Sequence, residues 1–409
     1  MQEHTPPTAP GPQAAPPAGG GARVSGDGIR VLRAARVHDG DRLHDDGWVA
    51  LDGDRLLAVG SGRDTPWGGS ATVQDLGDAV LAPGLVDMHC HGAGGAAFSD
   101  GADAARTAAA TLRAHGTRTV MASLVSAPVP VLAEQVRALV PLVAEGVLAG
   151  IHLEGPWLAP AHRGAHDPAA LCAPTPADVD RLLAAADGVP LMVTLAPELP
   201  GALESVRRLT AAGAVVGIGH TAADYGRTLE AISAGASVAT HLYNGCRPPT
   251  HRDPGPVLAL LEGARAGAVT IETIADGVHL HPAVLRRTAA EAGRRWAVVS
   301  DSMAAACCAD GDYRLGPLAV TVCGGVARLV SPDGEPGAIA GSTATLADCL
   351  GRAVAAGIGP EQALRAATSV PADALGLPAG RLRPGVEADL LVLGEDLGPV
   401  RDAVTESTR

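Results

Sequence analysis

Residues 215–242 read VVGIGHTAADYGRTLEAISAGASVATHL. Two short apolar runs, 215–218 and 238–242, enclose a segment of helical length, 225–234, and each run delivers a histidine at its end, His220 and His241. The runs are too continuous in Val, Ile and Ala to keep one face wet, which is the pattern of parallel strands buried on both sides. The same unit recurs outward in both directions. Further apolar runs lie at 80–86, 118–125, 150–153, 191–195, 269–274 and 297–299, separated by Ala- and Arg-rich helical stretches such as 103–115, 130–145, 178–186 and 282–294. Eight alternations predict an α/β fold, a closed (β/α)8 TIM-like barrel over 81–377, whose active sites form where strands end and loops begin.

Six polar residues occupy those ends: His89, His91, Glu154, His220, His241 and Asp301. On an extended strand residues two apart point the same way, so His89 and His91 face together and Cys90 faces opposite. Two imidazoles on one face can share a metal ion. Taken alone, an HxH pair is more often an ordinary surface or hydrogen-bonded feature, Glu154 could cap a turn or pair with Arg, and Asp301 could cap a following segment. Four histidines and a glutamate at one predicted rim outweigh those readings. Burying Glu154 without a cation or strong donors would be costly.

Composition sets outer bounds. Of 409 residues, 47% are hydrophobic, enough for one large core and a smaller satellite domain. There is no Lys, and 44 acidic residues against 31 Arg give a formal charge of -13, which argues against broad binding to nucleic acid or anionic membrane. Seven cysteines show neither an even count nor CxxC pairs, so a reduced, cytoplasmic setting fits better than a secreted disulfide framework. No apolar run approaches the ~20 residues needed to span a bilayer. Residues 1–27, rich in Pro, Ala and Gly, read as a disordered tail. Segments 28–80 and 378–409 alternate short apolar stretches with Gly and Asp turns and predict one small β domain flanking the barrel.

The stretches PGLVDMHCHG, GIHLEGPWLAPAHRGAHDP, GHTAADY, ATHLYNGCRPPTHRDPG, IADGVHLHP, VSDSMAAACCADGDYRLG and AGSTATLADCL follow one another in this order. The chain thereby resembles the N-acetylglucosamine-6-phosphate deacetylases of the amidohydrolase superfamily, from about residue 31 to 393. The resemblance implies that Glu154, His220 and His241 hold the main divalent metal, and that His89 and His91 match members binding a second ion with Glu154 as bridge. Zinc is the default for such donors, with iron, manganese or cobalt also suited. The carboxylated lysine that bridges metals in many other amidohydrolases is excluded, because the chain has no Lys.

By the same resemblance Asp301 is the general base and acid, and His166 stabilises the developing oxyanion. Asn244, Gly245, His251, Arg252 and His279 surround the sugar phosphate, with Arg252 reaching into the neighbouring site of a homodimer. Two departures stand out: Asn244-Gly245-Cys246 replaces a frequent Asn-Ala-Met, and Cys307-Cys308 occupies a loop where Gly is common. Other readings are the galactosamine epimer as substrate, another amide, or a metal-binding protein without catalysis. Asp301 argues against the last, because a binding module needs no general base.

Overall fold

The computed structural model describes residues 28–331, 336–398 and 401–402. The expected tail at 1–27 and most of the segment after 398 lie outside the described residues. Among the described residues, eight parallel strands pair in succession: Leu85–Cys90, Thr117–Leu124, Gly150–Glu154, Leu191–Leu195, Val215–Ile218, Val238–Ala239, Thr270–Ile274 and Trp296–Val299. Helices Ala102–Ala114, Val129–Ala144, Pro176–Ala186, Ala202–Ala211, Tyr225–Ala234, Gly255–Arg265, Pro282–Ala292 and Leu346–Ala355 follow the strands in turn. Their apolar stripes, with Leu112, Leu139, Leu182 and Leu209, pack on outward side chains such as Ile151, Val193 and Val216. This is the expected barrel. Its first and last strands meet through backbone bonds at the rim, where Asp301 N–H donates to the His89 carbonyl at 2.9 Å and His91 N–H to that of Ser302 at 2.7 Å.

The structure corrects two boundaries and adds one element. The run at 80–86 is not one strand. Val80–Pro83 joins the flanking sheet, and the barrel begins at Leu85. Pro83 has no N–H to extend the ladder, and Gly84 lets the chain cross where any Cβ would collide with Arg118 and Asp389. The small sheet therefore runs past the expected boundary at 80. Its order is Arg401–Asp402, Leu390–Leu393, Val80–Pro83, Ile29–His38, Leu43–Asp52 and Arg55–Ser61, with Thr72–Asp75 also pairing to Ile29–His38. The run at 238–242 keeps extended pairing only over Val238–Ala239, because His241 and Tyr243 turn into the left-handed region, with φ of 27° and 79°.

The added element lies inside the barrel span. Residues 311–339, to which the sequence assigned no element, form an antiparallel sheet of Gly311–Leu315, Leu318–Cys323, Val326–Val330 and Pro336–Ile339. Its central hairpin turns at Gly324-Gly325, both with positive φ, the signature of a two-residue turn matched to strand twist. Val320, Val322 and Ala327 bury one face against Val125 and Met303 at the barrel mouth. No helix among the described residues is long and apolar enough to cross a membrane.

Candidate metal centre

The strands stop by bending. His220, His241 and Asp301 all hold left-handed φ, at 48°, 27° and 46°. Such conformations cost of order 1–3 kcal/mol each in a non-Gly residue and persist only where surrounding bonds impose them. Here the His220 carbonyl accepts Ala159 N–H, and Asp301 is held by His89. The bend turns each side chain from the strand line into the barrel mouth.

Glu154 stands at the centre, 3% exposed, and its two oxygens face different partners. Oε1 lies 3.0 Å from His220 Nε2 and 2.8 Å from His241 Nε2. Oε2 lies 3.0 Å from His91 Nε2 and 3.5 Å from His89 Nε2. The two Nε2 atoms of His89 and His91 are 3.2 Å apart, and Asp301 Oδ1 approaches them at 3.4 and 3.3 Å. Donor atoms around a zinc-sized ion, bound at about 2.1 Å, sit about 3.0–3.4 Å from one another, close to the 2.8–3.5 Å found here.

Burial and tautomers suit a divalent cation as well. Among the described residues no Arg pairs with Glu154 or Asp301, and burial opposes both charges. The surrounding histidines outweigh burial and hold the Glu154 and Asp301 carboxyls well below the ordinary range. Burial likewise opposes charge on His91, but Asp301 and Glu154 lift it to about 9. A cation would take over the role those protons serve. His220 Nδ1–H donates to the His162 carbonyl at 2.8 Å and His89 Nδ1–H to Glu272 at 3.2 Å, so both leave an Nε2 lone pair facing Glu154.

His166 is different in kind. Its Nδ1 accepts the Ser126 N–H, so the proton sits on Nε2, 3.5 Å from Glu154 Oε2. The spacing of Glu154, His166 and His220 also suits an ion, but this tautomer makes His166 a donor. Burial pushes it down to about 4, against the pull of Glu154, so it is neutral at ordinary pH.

A cavity of about 220 Å³ opens above the donors. His279, Asn244 and Gly245 line one part, while Val125 together with Leu315 and Ile339 of the antiparallel sheet lines another. His279 Nδ1 lies 2.7 Å from Asp276 Oδ2. Burial would lower His279, but Asp276 outweighs it and holds the imidazole above its ordinary value, which favours its charged form facing the cavity. Gly245 has φ of 62°, and a Cβ there would lie 2.6 Å from His220 Nδ1, so an Ala at this position would require the ring to shift. His251 and Arg252 are exposed on a loop and do not line this cavity. Cys307 and Cys308 are also exposed; burial and nearby acidic charge push the Cys307 thiol up to about 11, away from thiolate chemistry.

Sequence reasoning passed over two inner residues. Glu272 sits within TIETI, completely buried. His152, two residues before Glu154 and on the same strand face, bonds Ser123 Oγ at 2.9 Å and Thr194 Oγ1 at 2.8 Å, beneath His89. A polar residue amid an apolar strand was the available signal for both.

The sequence matches the description "Amidohydrolase family" over residues 80–408. A solved N-acetyl-D-glucosamine-6-phosphate deacetylase mutant from Mycobacterium smegmatis, in complex with N-acetyl-D-glucosamine-6-phosphate, is 43% identical, with TM-score 0.85 over 92% of this chain and 98% of its own. The N-acetylglucosamine-6-phosphate deacetylase of Homo sapiens is 35% identical over 92% of this chain and 93% of its own. The N-acetylgalactosamine-6-phosphate deacetylase of Escherichia coli O157:H7 is 33% identical over 90% and 96%.

Proposed function

The chain belongs to the amidohydrolase family, and we propose that it hydrolyses N-acetylglucosamine 6-phosphate to glucosamine 6-phosphate and acetate. The observation that carries this reading is the division of Glu154 between two sets of donors directly below a cavity lined by His279. The similarity to deacetylases over nine-tenths of the chain supports the substrate class.

In this reading Glu154, His220 and His241 hold the main ion, while His89 and His91 hold a second with Glu154 between them. Zinc suits these donors best; iron, manganese and cobalt are the alternatives. A bound divalent ion supplies Lewis acidity, polarising the amide carbonyl and making water acidic enough to deprotonate near neutrality.

The remaining steps fall to side chains. Asp301, kept ionised by His89 and His91 against burial, takes the proton of the attacking water. His166 donates its Nε2–H to the oxygen that gains charge. Asp301 then returns the proton to the amine nitrogen, which leaves poorly unless protonated. His279 and the Asn244-Gly245 turn receive the phosphate. Exposed as it is, Arg252 reaches into the neighbouring site of a homodimer, and His251 is a weaker candidate for contacting the phosphate. The low cysteine pairing and acidic surface suit work in the cytoplasm, without nucleic acid or membrane partners.

The galactosamine epimer is the second reading; it rests on the similarity to the E. coli O157:H7 enzyme and is not favoured over the first. Proton NMR of the metal-loaded protein with N-acetylglucosamine 6-phosphate tests the chemistry: a free acetate signal should replace the acetamide methyl. An unchanged amide with metal bound would overturn it.

A further inference from the structure

Glu272 takes no part in the steps above, yet it touches both halves of the donor set. It lies at the centre of strand Thr270–Ile274, fully sealed from solvent. Its Oε2 accepts the Nδ1–H of His89 at 3.2 Å and the backbone N–H of His241 at 3.1 Å. Its Oε1 has no partner among the described residues. A sealed carboxylate with one oxygen unpaired is expensive unless positive charge lies close by. Among the described residues, its ion-pair contact is with His89, a metal-ligand candidate, and with no arginine.

Glu154 and Asp301 carry two negative charges, which one divalent ion between neutral imidazoles would cancel. Glu272 adds a third. One ion then leaves a net negative charge in a water-poor interior, and the site still attracts a second cation. The hydrogen bond adds direction to that attraction: with its proton fixed on Nδ1, His89 can present only the Nε2 lone pair, on the side where His91 Nε2 lies 3.2 Å away.

We propose that Glu272 is the positioning residue that makes the His89–His91 half of the site hold a second divalent ion. This rests on the donor set being a metal centre, and not on the identity of the substrate. The test is a cobalt(II) titration of the chelator-stripped full chain, read by calorimetry and visible absorption, for the wild type, Glu272→Gln and Glu272→Ala. The wild type should bind two ions per chain. Glu272→Gln keeps the size and an acceptor for His89 but removes the charge, and should weaken the second ion by about 10–100-fold while sparing the first. Glu272→Ala should bind one ion.

A wild type that binds one ion overturns the inference. So does a Glu272→Gln chain with unchanged second-ion affinity, which is what a purely structural role predicts even if thermal stability falls. Should Glu272→Ala fail to fold, the Gln variant decides. Because sugar hydrolysis is not read, a wrong substrate leaves this test intact.

Discussion

The backbone N–H of Ser126 points at Nδ1 of His166, 3.3 Å away, and thereby decides which nitrogen of that ring carries the proton. A ring that donates from Nε2 stabilises a developing oxyanion, whereas the opposite tautomer would offer a metal ligand beside Glu154 and His220. Replacing His166 by Ala should lower kcat about 10²–10³-fold and leave the metal content unchanged. Metal analysis beside steady-state kinetics separates the roles: loss of an ion would make His166 a ligand. Since burial holds the ring neutral down to about pH 4, its titration should leave no inflection in activity between pH 6 and 9.

Phosphate affinity should depend on pH through His279. Burial opposes its charge, but Asp276 raises its pKa above the ordinary histidine value, so the ring is cationic below that raised value and loses its charge as pH climbs through it. KM for the phosphorylated sugar should therefore rise on the alkaline side. In Asp276→Asn the rise should begin at lower pH. His279→Gln should raise KM about 10–100-fold at pH 7, the worth of a charge-assisted hydrogen bond, with a smaller effect on kcat.

Gly245→Ala introduces the residue that is frequent at this position in the family the chain resembles, yet it should weaken metal retention here, because His220 packs against Gly245 in this chain. The added Cβ would meet His220 Nδ1 at 2.6 Å, and φ of 62° is unfavourable for Ala. His220 must shift, breaking its bond to the His162 carbonyl. Weaker zinc retention during dialysis, measured beside the wild type, checks this; equal retention would mean that the ring has room to move.

The barrel and the rim residues were legible because both leave periodic marks: apolar runs of strand length, and a polar residue closing each. Where the marks fail, so does the reading. The apolar run at 80–86 hides a domain crossing, because Pro83 and Gly84 interrupt it without making it polar. The sheet over 311–339 lacks the helical partners that identify barrel strands, although the alternation in LAVTVC and the Gly324-Gly325 turn were there to be read. Glu272 left only the weak mark of a polar residue within an apolar strand rather than at its end, and its purpose depends on His89, 183 residues away.

Acid should destabilise the flanking sheet through His38. Burial pushes this ring down to about 4, with Asp39 opposing, and its Nδ1 accepts the Gly40 N–H. A histidine depressed in the folded state contributes its full stability above its unfolded value of about 6.5 and loses it as pH falls toward 4, on the order of 3 kcal/mol in all. Urea unfolding at pH 7.5 and pH 5 should show a drop for the wild type that is smaller in His38→Asn, whose side-chain oxygen can replace the acceptor. Equal drops in both would assign the acid sensitivity elsewhere.

Substrate choice is best measured by acetate release from the zinc-loaded chain, with kcat/KM determined for N-acetylglucosamine 6-phosphate, unphosphorylated N-acetylglucosamine and N-acetylgalactosamine 6-phosphate side by side. The first should exceed the second by at least about 100-fold, the worth of strong charge-assisted contacts to phosphate, and should also exceed the epimer. Preference for the epimer would reassign the sugar while keeping the chemistry. Absence of acetate from all three, with metal bound, would contradict the deacetylase assignment itself.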